Sequence, residues 1–173
     1  MSEPAGELTI RPFADDDWPR VWAVIEPVLR AGETFPFSPE LDEEEAYQLW
    51  VQTPTATWVA ENEHQGLLSS YYLKPNQPHL GDHVCNCGYI VAESARGRGI
   101  GGALCRHSQR VAPRFGFRAM QYNLVVATNE PAIRTWQRNG MTVVGRLPGA
   151  FRHPRHGYVD ALIMYRSLVS SPI

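Results

Sequence analysis

The sequence predicts a single α/β domain: a mixed, mostly antiparallel twisted sheet of about six or seven strands flanked by about four helices. Three observations lead there. Short runs rich in β-branched and aromatic residues alternate with segments of helical period. Two of the early runs are joined by a short turn, as antiparallel neighbours allow. Past the middle of the chain, a glycine-rich turn carries a strand into a helix. At 173 residues the length suits one domain, 1–173, with a core over about 7–168.

Residues 7–12 alternate as a first strand, and Asp15-Asp16-Asp17 then open a helix carrying Trp18, Val21, Trp22, Val24, Ile25 and Leu29. The stretch 31–40 holds glycine, prolines and the aromatics Phe35 and Phe37 without period, which predicts a loop able to cover a pocket. A second helix starts at Asp42-Glu43-Glu44-Glu45 and runs to about Gln52, where Pro54 stops it. Residues 56–62 and 66–74 form a hairpin around Glu63-His64-Gln65. A fourth strand covers 83–92, a helix about 100–115, a fifth strand 119–127 and a helix 131–138 closed by Gly140. Strands at about 142–147 and 158–166 complete the order βααββ, βαβα, ββ.

Composition excludes several classes of function. Sixteen basic residues against eighteen acidic ones give a net charge of -2, so no global basic field exists for nucleic acid. No apolar stretch is long enough to cross a membrane, and Met1–Glu7 lacks the basic and apolar regions of a secretory leader; the chain is read as cytoplasmic. Three cysteines imply no disulfide framework, and Cys85-x-Cys87 on one strand face reads as small buried hydrophobes rather than a redox or zinc pair, so no metal is expected. The histidines at 64, 79, 83, 107, 153 and 156 stand near no serine elbow or zinc motif and read as surface residues.

The turn Arg96-Gly97-Arg98-Gly99-Ile100-Gly101-Gly102 is the chemical centre of the sequence. Between a strand and a helix it aims several N–H groups at one point, at a helix N-terminus where an anion is favoured. It also satisfies the dinucleotide spacing G-x-G-x-x-G. A doubly wound fold begins with that turn, however, and here half the chain precedes it. A Walker A loop fails because no Lys-Ser or Lys-Thr pair follows the last glycine.

Arg96-Gly97-Arg98-Gly99-Ile100-Gly101 resembles the signature that follows the fourth strand of the GCN5-related N-acetyltransferases. Asn129, Ala132, Trp136 and the pair Gly140-Met141 resemble that family's second signature, and the order of elements is similar over nearly the whole chain. The resemblance implies a fold with splayed fourth and fifth strands and acetyl-CoA as cosubstrate. Its pyrophosphate would lie on the amides of Arg98 to Gly102, with Arg96 and Gly97 also on the cosubstrate, and its pantetheine along the backbone at Tyr89 and Val91, with Asn129 reaching the arm. It also implies a small-molecule amine acceptor and leans towards a homodimer.

One departure stands out: Trp136 occupies the place where the family commonly has the tyrosine that protonates the departing thiolate, and an indole N–H only donates and is no such acid. The amine's own proton, water or Tyr122 remain as sources. Asn86 and Asn123 are strand asparagines, out of place by propensity, and offer donors and acceptors to a substrate bearing amine and carboxylate. With Tyr89 as pocket wall and Leu124 as a backbone contact, the pattern is similar to fungal acetyltransferases of azetidine-2-carboxylate and proline analogues. Asn86, Tyr89 and Asn123 are thus the candidate catalytic residues, and Phe35 and Phe37 join them and Leu124 on the acceptor side. Asp160 or Glu93 can receive the amine proton through water, although Asp160 reads first as a structural carboxylate. Rival readings are a protein N-terminus or aminoglycoside as acceptor, or a non-catalytic CoA-binding module.

Overall fold

The computed structural model describes residues 6–170. Its strands are β1 (Thr9–Pro12), β2 (Ala56–Asn62), β3 (Gly66–Pro75), β4 (Val84–Val91), β5 (Ala119–Val126), β6 (Thr142–His153) and β7 (Gly157–Ser167). They form one seven-stranded sheet in the order β1-β2-β3-β4-β5-β7-β6. Every neighbour is antiparallel except β4 with β5. The helices are α1 (Trp18–Ala31), α2 (Glu43–Tyr47), α3 (Ile100–Val111) and α4 (Glu130–Arg138). Met1–Ala5, on which the expectation of no leader partly rests, lie outside the described residues. No helix among the described residues is long and apolar enough to cross a membrane.

The pleat divides the sheet's side chains between two cores. Val21, Ile25 and Leu29 of α1 and Trp50 pack with Val59, Tyr72 and Ile90 on one face. Leu104 of α3 packs with Tyr71, Leu73, Cys85, Cys87, Met120 and Tyr122 on the other, where Ile133 and Trp136 of α4 also lie. All three cysteines are free and buried.

Local chemistry sets the helix starts. Asp42 accepts from the Glu45 N–H at 2.9 Å while the Glu45 carboxylate accepts from the Asp42 N–H at 3.0 Å, a reciprocal cap for α2. Asp15–Asp17 form a single 3-10 turn before α1. Asp17, 2% exposed, pairs with Arg11 at 2.7 Å and with Arg20, pinning β1 to the start of α1.

Three elements differ from expectation. The second helix is interrupted: after Tyr47 a π-helical turn, Gln48–Gln52, swings Trp50 into the core, where its Nε1 donates to Ser70 Oγ at 2.9 Å. α3 ends at Val111 in a 3-10 turn, Ala112–Phe115, because Pro113 has no N–H for the α ladder. β6 continues through Pro148 and Gly149 to His153. It is an edge strand, and a register shift between Leu147 and Phe151 absorbs the proline.

Candidate active site

The pairing of β4 ends where the site begins. β4 and β5 pair only at Val84 with Ala119 and Cys85 with Met120. In the β3–β4 ladder, Ala92 N–H donates to the Leu68 carbonyl and Asn76 N–H to the Val84 carbonyl, both at 2.8 Å. That phase turns the main chain of residues 84, 86, 88, 90 and 92 towards β3 and that of Cys87, Tyr89 and Val91 towards β5, beyond the last pair. On β5, a bulge between Tyr122 and Val125 inserts one residue and reverses the phase, turning the Leu124 main chain towards β4. The strands therefore diverge with polar backbone on both lips.

Between them opens a cleft of about 2000 Å³ that continues under α1 and the 31–40 loop on one side and along α3 and α4 on the other. Arg96, Gly97, Gly99, Ile100, Gly101 and Gly102 line its floor beside α3. Gly97 and Gly99 have φ of +77° and +78°, a backbone that an L side chain adopts only with strain, and together they present the amides of the first turn of α3. Arg98 turns its side chain away, donating to Gln65 Oε1 at 2.6 Å and to the Ser94 carbonyl at 2.8 Å, so it braces the loop against the β2–β3 turn. Asn129 caps α4, its Oδ1 accepting from the Ala132 N–H at 3.4 Å, and its residue lines the cleft. Asn129 thus serves as a helix cap at the cleft wall.

Asn86 and Asn123 both line the cleft on the α1 face of the sheet. Asn86 Nδ2 donates to the Gln121 carbonyl at 2.9 Å, filling the position a further β4–β5 rung would have used. Asn123 Nδ2 donates to Asn76 Oδ1 at 2.5 Å, and its Oδ1 accepts from Gln121 Nε2 at 2.9 Å. Phe35 and Phe37 stack at 5.6 Å, Phe35 sets its edge against Trp50, and both rings line the same side. Pro27 of α1 lies there too, withholding the N–H that would otherwise bond the Ala23 carbonyl.

Tyr89 does not join the two asparagines. Three residues beyond Asn86 on one strand, it points to the opposite face. There its hydroxyl lies 2.6 Å from Ser108 Oγ and 2.9 Å from the Tyr122 hydroxyl, and its ring packs 4.9 Å from Trp136. Burial pushes both phenols well above their ordinary range, so they stay protonated. Burial likewise raises the Cys87 and Cys105 thiols. Asp160 accepts from the Gly149 N–H at 2.9 Å and, secondarily, from Arg146 Nε at 2.6 Å, which hold its carboxyl below its ordinary range. Glu93 lines the cleft beside the glycine loop.

Several cleft residues gave no local signal. The Tyr72 ring lies across Gly88, where a Cβ would meet the ring and hydroxyl at 2.6–2.7 Å. Lys74, opposite Asn86 in the ladder, extends over Tyr72 with its Nζ 5.4 Å from the ring centre. Arg155 in the β6–β7 turn pairs with Glu33 at 2.7 Å, joining the 31–40 loop to that turn. Two histidines are not surface residues: His153 is 5% exposed and lines the cleft, and His107 Nδ1 lies 2.6 Å from the Tyr71 hydroxyl. Among the described residues, no group of three or more His, Cys, Asp or Glu side chains is placed to hold a metal ion.

Acetyl-CoA fits this arrangement: a glycine-rich N–H cradle for a pyrophosphate, and an unpaired strand edge for amide groups and a thioester carbonyl. Comparisons with known proteins agree. A family model described as the acetyltransferase (GNAT) family matches residues 18–141. N-acetyltransferase aca1 of Schizosaccharomyces pombe is 35% identical over 151 residues, covering 78% of this chain and 72% of that protein. A GCN5-related N-acetyltransferase from Kribbella flavida has a TM-score of 0.87 at 43% identity, over 92% of this chain and 97% of the other. A phosphinothricin acetyltransferase from Sinorhizobium meliloti, solved in complex with AcCoA, has the same fold, with a TM-score of 0.81 at 18% identity over 92% and 88% of the two chains. The chain belongs to the acetyltransferase (GNAT) family and is an acyltransferase.

Proposed function

We propose that the protein transfers the acetyl group of acetyl-CoA directly to the amine of a small acceptor of the amino-acid or imino-acid kind. The observation that carries this reading is the pair of carboxamides, Asn86 and Asn123, on the open side of the splayed strands, in the half of the cleft roofed by Phe35 and Phe37. The acetyltransferase domain is taken as residues 1–173, with its core over about 7–168.

The neutral amine attacks the thioester carbonyl, whose oxygen is held by β4 main-chain N–H groups on the edge that includes Tyr89 and Val91. Collapse of the tetrahedral adduct breaks the C–S bond and leaves the CoA thiolate, which takes one proton while the amine loses one. Trp136 supplies none, because an indole N–H is not an acid in this range. Water or the amine itself supplies it, since burial holds the Tyr89 and Tyr122 phenols protonated. Direct transfer is supported by the cysteines: all three are buried, and burial raises the Cys87 and Cys105 thiols, against a role as acyl-accepting thiolate.

Val144, 59% exposed, and its neighbours Val143 and Leu147 lie on β6 at the end of the sheet. An apolar, unpaired edge of this kind supports a homodimer. Sedimentation of the wild type and of Val144→Lys tests it.

The functional reading is tested by free-thiol release from acetyl-CoA over a panel of proline analogues, amino acids, polyamines and aminoglycosides, with acetyl-CoA thermal stabilisation read in parallel. Release with amino or imino acids is expected. Stabilisation without release on any amine indicates a sensor or a protein acceptor instead, and release confined to polyamines or aminoglycosides overturns the acceptor class.

A further inference from the structure

Among the described residues, charged groups near the acceptor half of the cleft are few. Glu33 and Arg155 neutralise each other at 2.7 Å. Lys74 makes no ion pair among the described residues, although it lines the cleft and is only half-buried. Its ammonium is positioned by the Tyr72 ring, 5.4 Å from the ring centre, and Tyr72 is in turn clamped between Trp50 and Gly88.

Lys74 pairs with Asn86 across the β3–β4 ladder, and directly opposed residues project from the same face with Cβ atoms about 5 Å apart. One N–H of Asn86 is spent on Gln121, leaving its second N–H free to act with the ammonium. Asn76 and Asn123, close by, carry no charge to offset a bound anion. Two residues further along both strands, about 6.6 Å away, stand Tyr72 and Gly88, beside the β4 edge that takes the thioester.

From this placement, and resting on the reading of the acceptor as an amino or imino acid, we propose that Lys74 binds the acceptor's carboxylate, with Asn86 as its partner. Lys74 is thereby the residue that selects acids over simple amines. The charge-assisted bond at the Lys74 end leaves the acceptor's amine directed along the strands towards Gly88 and the thioester carbonyl. A purely packing role on Tyr72 would show no dependence on the acceptor's charge.

The test compares each ring or side chain as its free acid and as its neutral carboxamide, using azetidine-2-carboxylate, proline and their amides, with full-length wild type, Lys74→Met, Lys74→Gln and Lys74→Arg. Lys74→Met and Lys74→Gln are expected to raise KM for the acids about 10–100-fold while leaving KM for the amides and the acetyl-CoA thermal shift unchanged; about 1.4 kcal/mol corresponds to each decade. Lys74→Arg is expected to stay within a few-fold of wild type. In parallel, the extra stabilisation that the acid gives the CoA-bound protein disappears in Lys74→Met. Equal losses for acid and amide, or an unchanged preference for the acid, overturn the assignment alone. Failure of the wild type to acetylate any acid overturns the functional reading and the assignment with it.

Discussion

The side-chain amide of Asn86 donates to the Gln121 carbonyl at 2.9 Å, one residue beyond the last β4–β5 pair, Cys85 with Met120. A side chain thus closes the apex of the splay. Above it the strand edges are free for a cosubstrate, and below it the sheet is continuous. The same carboxamide has a second N–H and an oxygen left for an acceptor.

Asn86→Ala is expected to lose about 1 kcal/mol of stability, the net worth of one hydrogen bond. It is also expected to raise the acceptor KM about tenfold or more while acetyl-CoA affinity holds. Urea melts and a thermal shift titration with acetyl-CoA separate the two effects. Asn123→Ala, whose partners are exposed side chains, is expected to change acceptor KM with little change in stability.

Gly99→Ala places a Cβ at φ +78°, with nothing within 4 Å to oppose it, so the cost is backbone strain of about 1–2 kcal/mol. Gly116, at φ +86° and equally open, lies after α3 and does not line the cleft. Gly116→Ala is expected to lose similar stability without touching cofactor binding. Gly99→Ala is expected to weaken acetyl-CoA binding by about tenfold besides, and calorimetric titration of the two variants distinguishes them.

Gly88→Ala meets the Tyr72 ring at 2.6 Å, and Tyr72 is held from behind by Trp50. Overpacking of this kind costs about 1–3 kcal/mol. The double variant Gly88→Ala, Tyr72→Leu is expected to recover much of that loss, giving a non-additive cycle in denaturant melts.

Asp17 governs the acid limb of stability. Hydrogen bonds from Arg11, above all, hold its carboxyl far below the ordinary range, against the opposing effect of burial. A depressed carboxylate adds stability that is fully present above its unfolded value, about 3.9, and is lost as pH falls from there through the folded value. Asp17→Asn is expected to be less stable by about 2–4 kcal/mol at pH 7, with a flatter decline below about pH 4. Thermal melts of both proteins between neutral and acid pH measure it.

The glycine loop was legible because its chemistry is local. Gly97 and Gly99 act through their own φ angles and the first turn of the helix they open, and adjacent residues settle both. The fold class followed from periodicity, and Trp136 stood out as a departure only against the family's usual tyrosine, its indole N–H being a donor and no acid. Where a residue breaks a local rule, as Asn86 and Asn123 do in strands, the sequence also marked it. Strand alternation even carried the separation of Asn86 from Tyr89, three positions apart and so on opposite faces, which the family pattern had grouped together.

Tertiary structure alone decided which distant residues complete the cleft. Lys74 meets Asn86 through the β3–β4 register, Glu33 meets Arg155 across more than a hundred residues, and Tyr72 lies on Gly88 because Trp50 presses it there. None of these residues is unusual in its own neighbourhood. The π-helical turn that delivers Trp50 and the bulge that turns Leu124 towards β4 exist because packing and pairing in the assembled sheet outweigh local preference. A sequence states what each backbone segment can do alone, whereas register and burial, which depend on segments far apart in the chain, select the side chains that face one another.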